Sequence, residues 1–244
     1  MQANPRTTLW LCAYNGLTVA THLAILQEFM SWGGNLSHRV KSGDANIDRA
    51  RSKVASWFLQ EPEETAGNIL CMVDADNAWR PGDLAMIARQ AEEHQAVVGG
   101  IYPKRAFGAG PALRVADGAA GRWRIGEEKL MPVEYVGTGF IAIPRSILQR
   151  VAATLPTVVG GFQPFFMPFV ITENGATEYP TDDWAFLARV RAVGGKVFAS
   201  TYPRLTHEGS YTYRMVDSEI TPPQDKDIAL DIGKRPQAMA EALA

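Results

Sequence analysis

Two carboxylates follow a short apolar run in the first half of the chain. Asp74 and Asp76 come directly after Ile69–Val73, a run without alternation that is typical of a strand buried on both faces. Side chains at positions i and i+2 of an extended chain point the same way, so both carboxylates can face one ligand. A hard divalent ion with a phosphate behind it is a suitable partner for such charges. On its own, an Asp-x-Asp pattern is more often a turn or a helix cap.

Other polar side chains that could take part in catalysis or binding lie elsewhere in the chain. Asp182 and Asp183 open a predicted helix, where acidic residues are common as caps. His207 follows a strand-like stretch near the end, and it is either a metal ligand or an ordinary surface or core histidine. Arg51 lies between Arg49 and Lys53 in the first turns of another predicted helix. Cations are unfavourable at a helix amino end, so this clustering indicates an anionic partner, although a solvated charged face is the ordinary interpretation.

Strands and helices alternate along the chain, which predicts an α/β domain with a mostly parallel central sheet flanked by helices. Tyr14 ends the first predicted strand, at the edge where open parallel sheets bind ligands, and can stack on a flat base or lie half-buried in the core. Gly137 and Gly139, around Thr138, indicate a bend inside a strand-like run. The predicted strands are 7–14, 35–41, 69–73, 96–101, 133–143 and 196–200, and the predicted helices are 18–32, 47–59, 81–94, 144–155 and 181–192.

Length and composition limit the functional classes. A chain of 244 residues with 46% hydrophobic residues forms one large α/β domain, which we place at residues 1–216, with a tail at 217–244 that carries a short helix near 236–244. The net charge of −2 gives no global basic field for nucleic acid or anionic membranes. The two cysteines, Cys12 and Cys71, lie in apolar runs and favour a reducing compartment. Neither a signal peptide nor a membrane span is recognised, so a cytoplasmic protein is expected, in the host cytoplasm if a phage encodes it.

The order of these motifs resembles that of glycosyltransferases of the GT-A (Rossmann-like) fold, over roughly residues 7 to 213. A buried strand ends in Asp-x-Asp, with Trp79 and Pro81 just after it. Val-Val-Gly-Gly-x-Tyr-Pro-Lys, Val-Gly-Thr-Gly-Phe, Thr-Asp-Asp-Trp-Ala-Phe, a Gly-Gly helix end and His-x-Gly then follow in that order. The chain is similar in particular to the small stand-alone type related to glycosyltransferase family 2 that phages and bacteria encode.

The resemblance implies a role for each matching residue. Asp74 and Asp76 would hold Mn²⁺ or Mg²⁺ on the diphosphate of a nucleotide-sugar, with a UDP-sugar favoured, and His207 would complete the metal site. Asp183 would be the catalytic base of an inverting enzyme, and Asp182 beside it is the other catalytic candidate, because the family usually has Glu-Asp where this chain has Asp182-Asp183. Further donor contacts are implied for Tyr14, Arg51 and Lys104, and the wall between donor and acceptor is assigned to Gly137, Thr138 and Gly139.

Two other functional classes remain open from the sequence. A sugar-phosphate nucleotidyltransferase also uses metal-binding carboxylates, but its glycine-rich signature with a basic residue is absent after the first strand, at Ala13–Gly16. A non-catalytic nucleotide-sugar or glycan-binding module would keep the fold without turnover. The acceptor is not defined by the sequence: glycans, protein hydroxyls, lipid carriers and a hydroxymethylated DNA base are candidates. Lys104, Arg105, Arg122 and Arg124 could form a local basic rim for DNA.

Overall fold

A computed structural model describes residues 3–105, 110–116, 122–173, 176–209, 211–214 and 229–231. The strands are β1 (Thr7–Ala13), β2 (Leu36–Ser42), β3 (Ile69–Asp74), β4 (Asn77–Ala78), β5 (Val97–Gly100), β6 (Leu113–Val115), β7 (Arg122–Arg124), β8 (Leu130–Val136), β9 (Phe140–Pro144), β10 (Ile171–Glu173), β11 (Ala176–Glu178), β12 (Val197–Ser200), β13 (Thr206–Glu208), β14 (Thr212–Arg214) and β15 (Ala229–Asp231). The helices are α1 (Val19–Trp32), α2 (Ile47–Gln60), α3 (Glu63–Ala66), α4 (Asp83–His94), α5 (Arg145–Ala152) and α6 (Asp182–Ala192).

The central sheet has eight strands in the order β2-β1-β3-β9-β5-β12-β8-β6. Strand β1 pairs in parallel with β2 and β3, and β5 pairs in parallel with β12. Strand β9 runs antiparallel to β3 and β5, and β8 runs antiparallel to β12 and β6. Six strands of this sheet therefore point one way, while β8 and β9 point the other. The predicted α/β architecture with a mostly parallel central sheet is confirmed.

Strand β3 separates two hydrophobic layers, as its uninterrupted apolar run predicts. Leu70 and Met72 pack with the helices α2, α5 and α6 on one face of the sheet. Ile69, Cys71 and Val73 pack with α1 and α4 on the other face. Burial of both faces removes side-chain alternation from the sequence, which explains why β3 has no polar position before Asp74.

Helix α1 is present as predicted, but its apolar residues do not all face the core. Ala24, Ile25 and Trp32 are buried against the sheet, together with the polar residues Thr21 and Glu28. The other large apolar side chains of the helix point away from the core and are exposed, namely Val19, Leu23, Leu26, Phe29 and Met30. The hydrophobic spacing thus identified the helix correctly without identifying its buried face.

Two predicted segments differ from the structure. The strand expected at 133–143 is two strands, β8 and β9, which are separated by Gly137–Gly139 and are not neighbours in the sheet. The stretch 122–130, expected to be irregular, contains β7, which pairs with β15 from the expected tail. The short helix expected at 236–244 lies outside the described residues. Within the ranges that are described, no helix has the length and apolar character needed to cross a bilayer.

The buried carboxylate of Glu28 on α1 anchors the amino end of α4. Its Oε2 accepts hydrogen bonds from Trp79 Nε1 and Gly82 N, each at 3.0 Å, and its Oε1 accepts one from Ala85 N at 3.1 Å. Residue Gly82, at the N-cap position of α4, has no side chain to cap the helix, so Glu28 supplies the acceptors from another helix.

Glu28→Ala should therefore destabilise the fold. Three donors would lose their acceptor in a buried environment, at a cost of about 3 kcal/mol or more in the free energy of unfolding. Urea denaturation of Glu28→Ala and of Glu28→Gln, which keeps one carbonyl acceptor, measures this. A Glu28→Ala protein as stable as the native chain would contradict the anchoring role.

Candidate functional site

The candidate site lies at the carboxyl ends of β1 and β3. The chain leaves β1 for β2 on one side, and β3 lies on the other side of β1, so the strand order reverses between β1 and β3. Ligands of open α/β sheets bind in the crevice outside such a point. Tyr14 follows β1 with 59% of its surface exposed, and Asp74 ends β3. The predicted placement of these two side chains at one edge of the sheet is thus observed.

Arg51 gathers three carboxylates at this edge. Its Nη2 donates to both oxygens of Asp74, at 2.7 and 2.9 Å, and its Nη1 donates to Asp183 Oδ1 at 2.9 Å and to Asp182 Oδ2. Only 4% of the arginine is exposed. Three carboxylates around one guanidinium leave the group with net negative charge. We call Asp74, Asp182 and Asp183 the aspartate cluster.

The Asp183 carboxyl has two distinct oxygens. Its Oδ1 accepts hydrogen bonds from Arg51 and from the buried Thr138 hydroxyl, whereas its Oδ2 has no hydrogen bond to any residue in the described ranges. Burial raises the pKa of Asp183 above its ordinary value, and the neighbouring Asp182 raises it further. Arg51 and the Thr138 hydrogen bond act in the opposite direction. Asp183 is therefore fixed in orientation, with one oxygen left to accept a proton.

A small three-stranded sheet brings His207 to Asp76. Strand β13 pairs with β4 so that His207 lies opposite Asn77, and Glu208 N donates to Asp76 O at 2.7 Å. His207 Nε2 lies 3.6 Å from Asp76 Oδ1. The predicted neighbourhood of Asp76 and His207 thus results from strand pairing between residues 130 positions apart in the sequence, which no local pattern reveals.

The chemistry of the Asp76–His207 pair fits a divalent cation. Asp76 Oδ1 is buried without a hydrogen-bond partner in the described structure. His207 Nδ1 lies 3.1 Å from Pro103 O, so the protonated nitrogen is Nδ1 and Nε2 carries the lone pair. Burial lowers the pKa of His207, and the nearby Arg105 lowers it further, which favours the neutral imidazole. A separation of 3.6 Å is too long for a hydrogen bond and compatible with two ligands of one ion.

Asp74 does not join this pair in the structure. Both of its oxygens are hydrogen-bonded to Arg51, and among the described residues no three carboxylate, imidazole or thiolate groups converge on one ion position. Asp76 and His207 are therefore two neighbouring candidate ligands, and metal binding by this pair and by Asp74 stays a prediction.

The segment Gly137–Gly139 packs against the side chains of the site. All three residues are buried, and Gly139 N donates to Tyr102 Oη at 3.0 Å while Gly139 O accepts from Asp74 N at 2.9 Å. A Cβ at Gly139 would lie 2.8 Å from Asp74 Oδ2 and 2.6 Å from Asn77 Nδ2. The predicted contact of this segment with an acceptor stays a prediction, because here its atoms are used to position Asp74 and Asp183.

Gly139→Ala should therefore impair the site. The new methyl group would displace the Asp74 carboxylate from Arg51 and should weaken ligand binding by about tenfold or more, because carboxylate placement to within about 0.5 Å matters. Isothermal titration with a nucleoside diphosphate measures this. Gly110→Ala is a suitable control, since no atom lies within 4 Å of its Cβ position. Equal affinities of the two variants would contradict this role of Gly139.

The remaining predicted residues have different surroundings. Lys104 is exposed and directly precedes Arg105 after β5, and its contact with a donor stays a prediction. Arg51 is not free to meet a donor from solvent, because the aspartate cluster surrounds it. The anionic partner expected for the basic start of α2 is supplied by the chain itself: Arg49 and Lys53 both pair with Asp44.

One residue central to the site was not among the predicted site residues, and another makes a contact that was not predicted. Thr138 was predicted to line an acceptor wall, which stays a prediction, and its hydroxyl donates to Asp183. Arg105, expected in an outward basic rim, pairs with Asp76 and donates from Nε to His207 Nε2 at 3.0 Å. Neither partner is close in sequence, so no spacing in the chain could have indicated these contacts.

The match to one solved structure, A197 from STIV, supports the fold. No protein-family model and no curated protein sequence matches the chain. A197 from STIV matches with a TM-score of 0.55 and 16% identity, over 94% of this chain and 97% of that one. GalNAc-T7 with UDP, GalNAc and Mn²⁺ matches with a TM-score of 0.48 and 14% identity, over 88% of this chain and 45% of that one. S. aureus TarS 1-349 in complex with UDP-GlcNAc matches with a TM-score of 0.44 and 10% identity, over 80% of this chain and 55% of that one.

At these identities the likeness concerns the fold alone. The match to A197 covers nearly the whole of both chains, whereas this chain spans about half the length of the GalNAc-T7 and TarS structures. The predicted α/β fold of the GT-A (Rossmann-like) type is confirmed at this level. Membership of glycosyltransferase family 2 and the phage type stay predictions.

Proposed function

We propose that this protein is a metal-dependent glycosyltransferase that moves a sugar from a nucleotide-sugar to an acceptor hydroxyl with inversion. One observation carries the proposal. Asp183 is held by Arg51 and Thr138 with Oδ2 open, at the same sheet edge as the Asp76–His207 pair. A proton acceptor beside a cation site, outside the switch point of an α/β sheet, is the arrangement that sugar transfer from a diphosphate needs.

The donor would occupy the crevice between β1 and β3. Tyr14 is exposed there and can stack on the nucleotide base, and Lys104 is available for a phosphate. Asp76 and His207 would hold Mn²⁺ or Mg²⁺, and an imidazole ligand suits Mn²⁺ better. When bound, such an ion offsets the charge that develops on the departing diphosphate. A UDP-sugar is the first donor to test, as the sequence resemblance implies.

The chain's own contribution to the chemistry centres on Asp183. Oδ2 accepts the proton of the acceptor hydroxyl while the acceptor oxygen forms a bond to the anomeric carbon. The bond from that carbon to the diphosphate oxygen breaks, and the nucleoside diphosphate leaves with the electron pair. Arg51 and Thr138 keep Oδ1 occupied, so the carboxylate cannot rotate away from the acceptor during the transfer.

The pH dependence should report this base. The pKa of Asp183 is raised above its ordinary value of 3.8. The carboxyl therefore stays protonated, and cannot accept a proton, up to a pH above that value. The acid limb of kcat should therefore lie above that value, with activity rising as pH rises. Thr138→Val removes a hydrogen bond that lowers this pKa and should move the limb to higher pH. An acid limb at the same pH in both proteins would contradict the coupling of Thr138 to the base.

The acceptor is proposed only as a hydroxyl compound. A glycan, a protein hydroxyl and a hydroxymethylated DNA base all provide the group that Asp183 would deprotonate. In the structure Arg105 points to Asp76 and His207, so it is not available to an outward rim for DNA. Salt-dependent binding to modified DNA would reveal a rim formed by other basic residues.

The deciding experiment is thermal stabilisation by a panel of nucleotides and nucleotide-sugars, with and without Mn²⁺. A hundredfold excess of a ligand over its Kd should add about 2.7 kcal/mol to the free energy of unfolding. We expect a Mn²⁺-dependent shift with one nucleoside diphosphate, lost in Asp76→Ala and kept in Glu93→Ala, which removes an exposed carboxylate on α4. No shift with any nucleotide would overturn the proposal. Binding without hydrolysis or transfer of the donor would instead indicate a non-catalytic binding module.

A further inference from the structure

The guanidinium of Arg105 spans both residues of the Asp76–His207 pair. Its Nε donates to His207 Nε2 at 3.0 Å, and its Nη2 pairs with Asp76 Oδ2. These are the carboxylate and the imidazole nitrogen that a divalent ion would use. A cation of the chain itself is thus placed on the ligands of a cation from solution.

The contact with Arg105 does not satisfy all the polar atoms of Asp76 and His207. Asp76 Oδ1 is buried and lacks a hydrogen bond within the described structure, even though Arg105 is adjacent. The lone pair of His207 Nε2 is fixed by the contact of Nδ1 with Pro103 O at 3.1 Å. A guanidinium satisfies one oxygen and one nitrogen here and leaves a buried oxygen without a partner, which is costly. A divalent ion between Asp76 Oδ1 and His207 Nε2 would remove that cost.

Arg105 also has room to leave. Its side chain is 45% exposed, whereas the ligand side chains of Asp76 and His207 are 27% and 15% exposed. A guanidinium that is nearly half exposed can be rehydrated when it leaves, so its displacement costs less free energy than that of a fully buried cation. A displaced guanidinium would lie close to the diphosphate that accompanies the ion, and a planar fork of donors matches phosphate oxygens well.

We propose that Arg105 and a divalent ion compete for Asp76 and His207, so that the free ion is excluded and enters only with the nucleotide diphosphate, which takes over Arg105. The proposal rests on the proposed function and adds control of ion binding at the same site. Two cations cannot share these ligands, because like charges this close together in a partly buried site repel each other strongly. The diphosphate provides the negative charge that permits both cations to be present.

The test is Mn²⁺ binding to the full chain, followed by electron paramagnetic resonance, with and without UDP. Arg105→Ala should tighten the Kd for Mn²⁺ alone by about tenfold or more. UDP should then increase Mn²⁺ affinity strongly in the native protein and much less in Arg105→Ala, because the competitor is already gone. By thermodynamic linkage, Mn²⁺ should increase UDP affinity with the same difference between the two proteins.

Two further variants keep the test specific. Arg150→Ala removes the same charge from an exposed position whose Nη1 donates to Val193 O, and it should leave Mn²⁺ binding unchanged. His207→Gln added to Arg105→Ala should abolish the gain in Mn²⁺ affinity, which assigns that gain to this pair. Thermal unfolding of each variant establishes that it is folded.

The outcomes separate this inference from the proposed function. Equal Mn²⁺ affinities of native protein and Arg105→Ala without UDP would overturn the competition, even if donor turnover is observed. Donor turnover that survives EDTA and is lost in Arg105→Ala would also overturn it, because Arg105 would then be the permanent counter-ion of the diphosphate. A tighter Mn²⁺ site in Arg105→Ala, in a protein that binds no nucleotide, would support the competition while the proposed function fails.

Discussion

Asp183→Asn should lower the turnover of donor and acceptor by about 10²–10⁴-fold. Asparagine keeps the size of the side chain and can still accept from Arg51 and Thr138, which hold Oδ1 in the native protein. The amide that replaces Oδ2 cannot take a proton from the acceptor hydroxyl. The loss should therefore appear in kcat, with the Kd of the nucleotide nearly unchanged, and single-turnover kinetics with a UDP-sugar measure it.

Asp182→Asn is the matched control for this variant. Asp182 lies next to Asp183 at the start of α6 and also accepts from Arg51, but no hydrogen bond joins it to Thr138. Asp182→Asn should lower the turnover clearly less than Asp183→Asn does. A larger loss in Asp182→Asn would reverse the two assignments, and near-normal turnover in Asp183→Asn would remove Asp183 from the role of base.

Arg51→Met should produce the largest loss of stability, about 3–5 kcal/mol, because a buried cation that neutralises carboxylates is removed while they remain. Arg51 is 4% exposed and is the cation that Asp74, Asp182 and Asp183 share. For a chain of this length the melting temperature should fall by about 10 °C. Differential scanning calorimetry measures the change, with Arg49→Met as a control on the exposed side of the same helix.

The pH dependence of this loss identifies its cause. Without Arg51 the pKa of Asp183 rises further, since that arginine is the main group that lowers it. A carboxyl whose pKa is raised by folding contributes stability at low pH and loses it as pH rises through the raised pKa. The deficit of Arg51→Met should therefore be small in acid and grow toward neutral pH. A deficit independent of pH would indicate lost packing of the arginine stem instead.

Local sequence patterns predicted much of the framework. The apolar run Ile69–Val73 predicted β3 and its burial on both faces, and the helices α1, α2, α4 and α6 start and end within about two residues of their predicted bounds. These features depend on periodicity, caps and glycine breaks, which act over one or two turns of chain. Tyr14 and Asp74 lie at one edge because the carboxyl ends of neighbouring parallel strands meet at the same edge of a sheet.

Contacts between segments that are far apart in the sequence could not be predicted from such local patterns. The exposed apolar face of α1 has the same helical spacing as a buried one, so only packing against the sheet decides which side is covered. Likewise, Gly137–Gly139 indicated a bend, but its separation of β8 from β9 depends on β5 and β12 entering between them.

The sequence by itself therefore determined the α/β class, the central strand, and the residue types that can hold a cation or accept a proton. The tertiary structure decided which of these groups act together. It joined Arg51 to the aspartate cluster, Thr138 to Asp183, and Arg105 to Asp76 and His207. The physical reason is that charge pairing depends on distance in space, and the partners of Arg51 lie between 23 and 132 residues away along the chain.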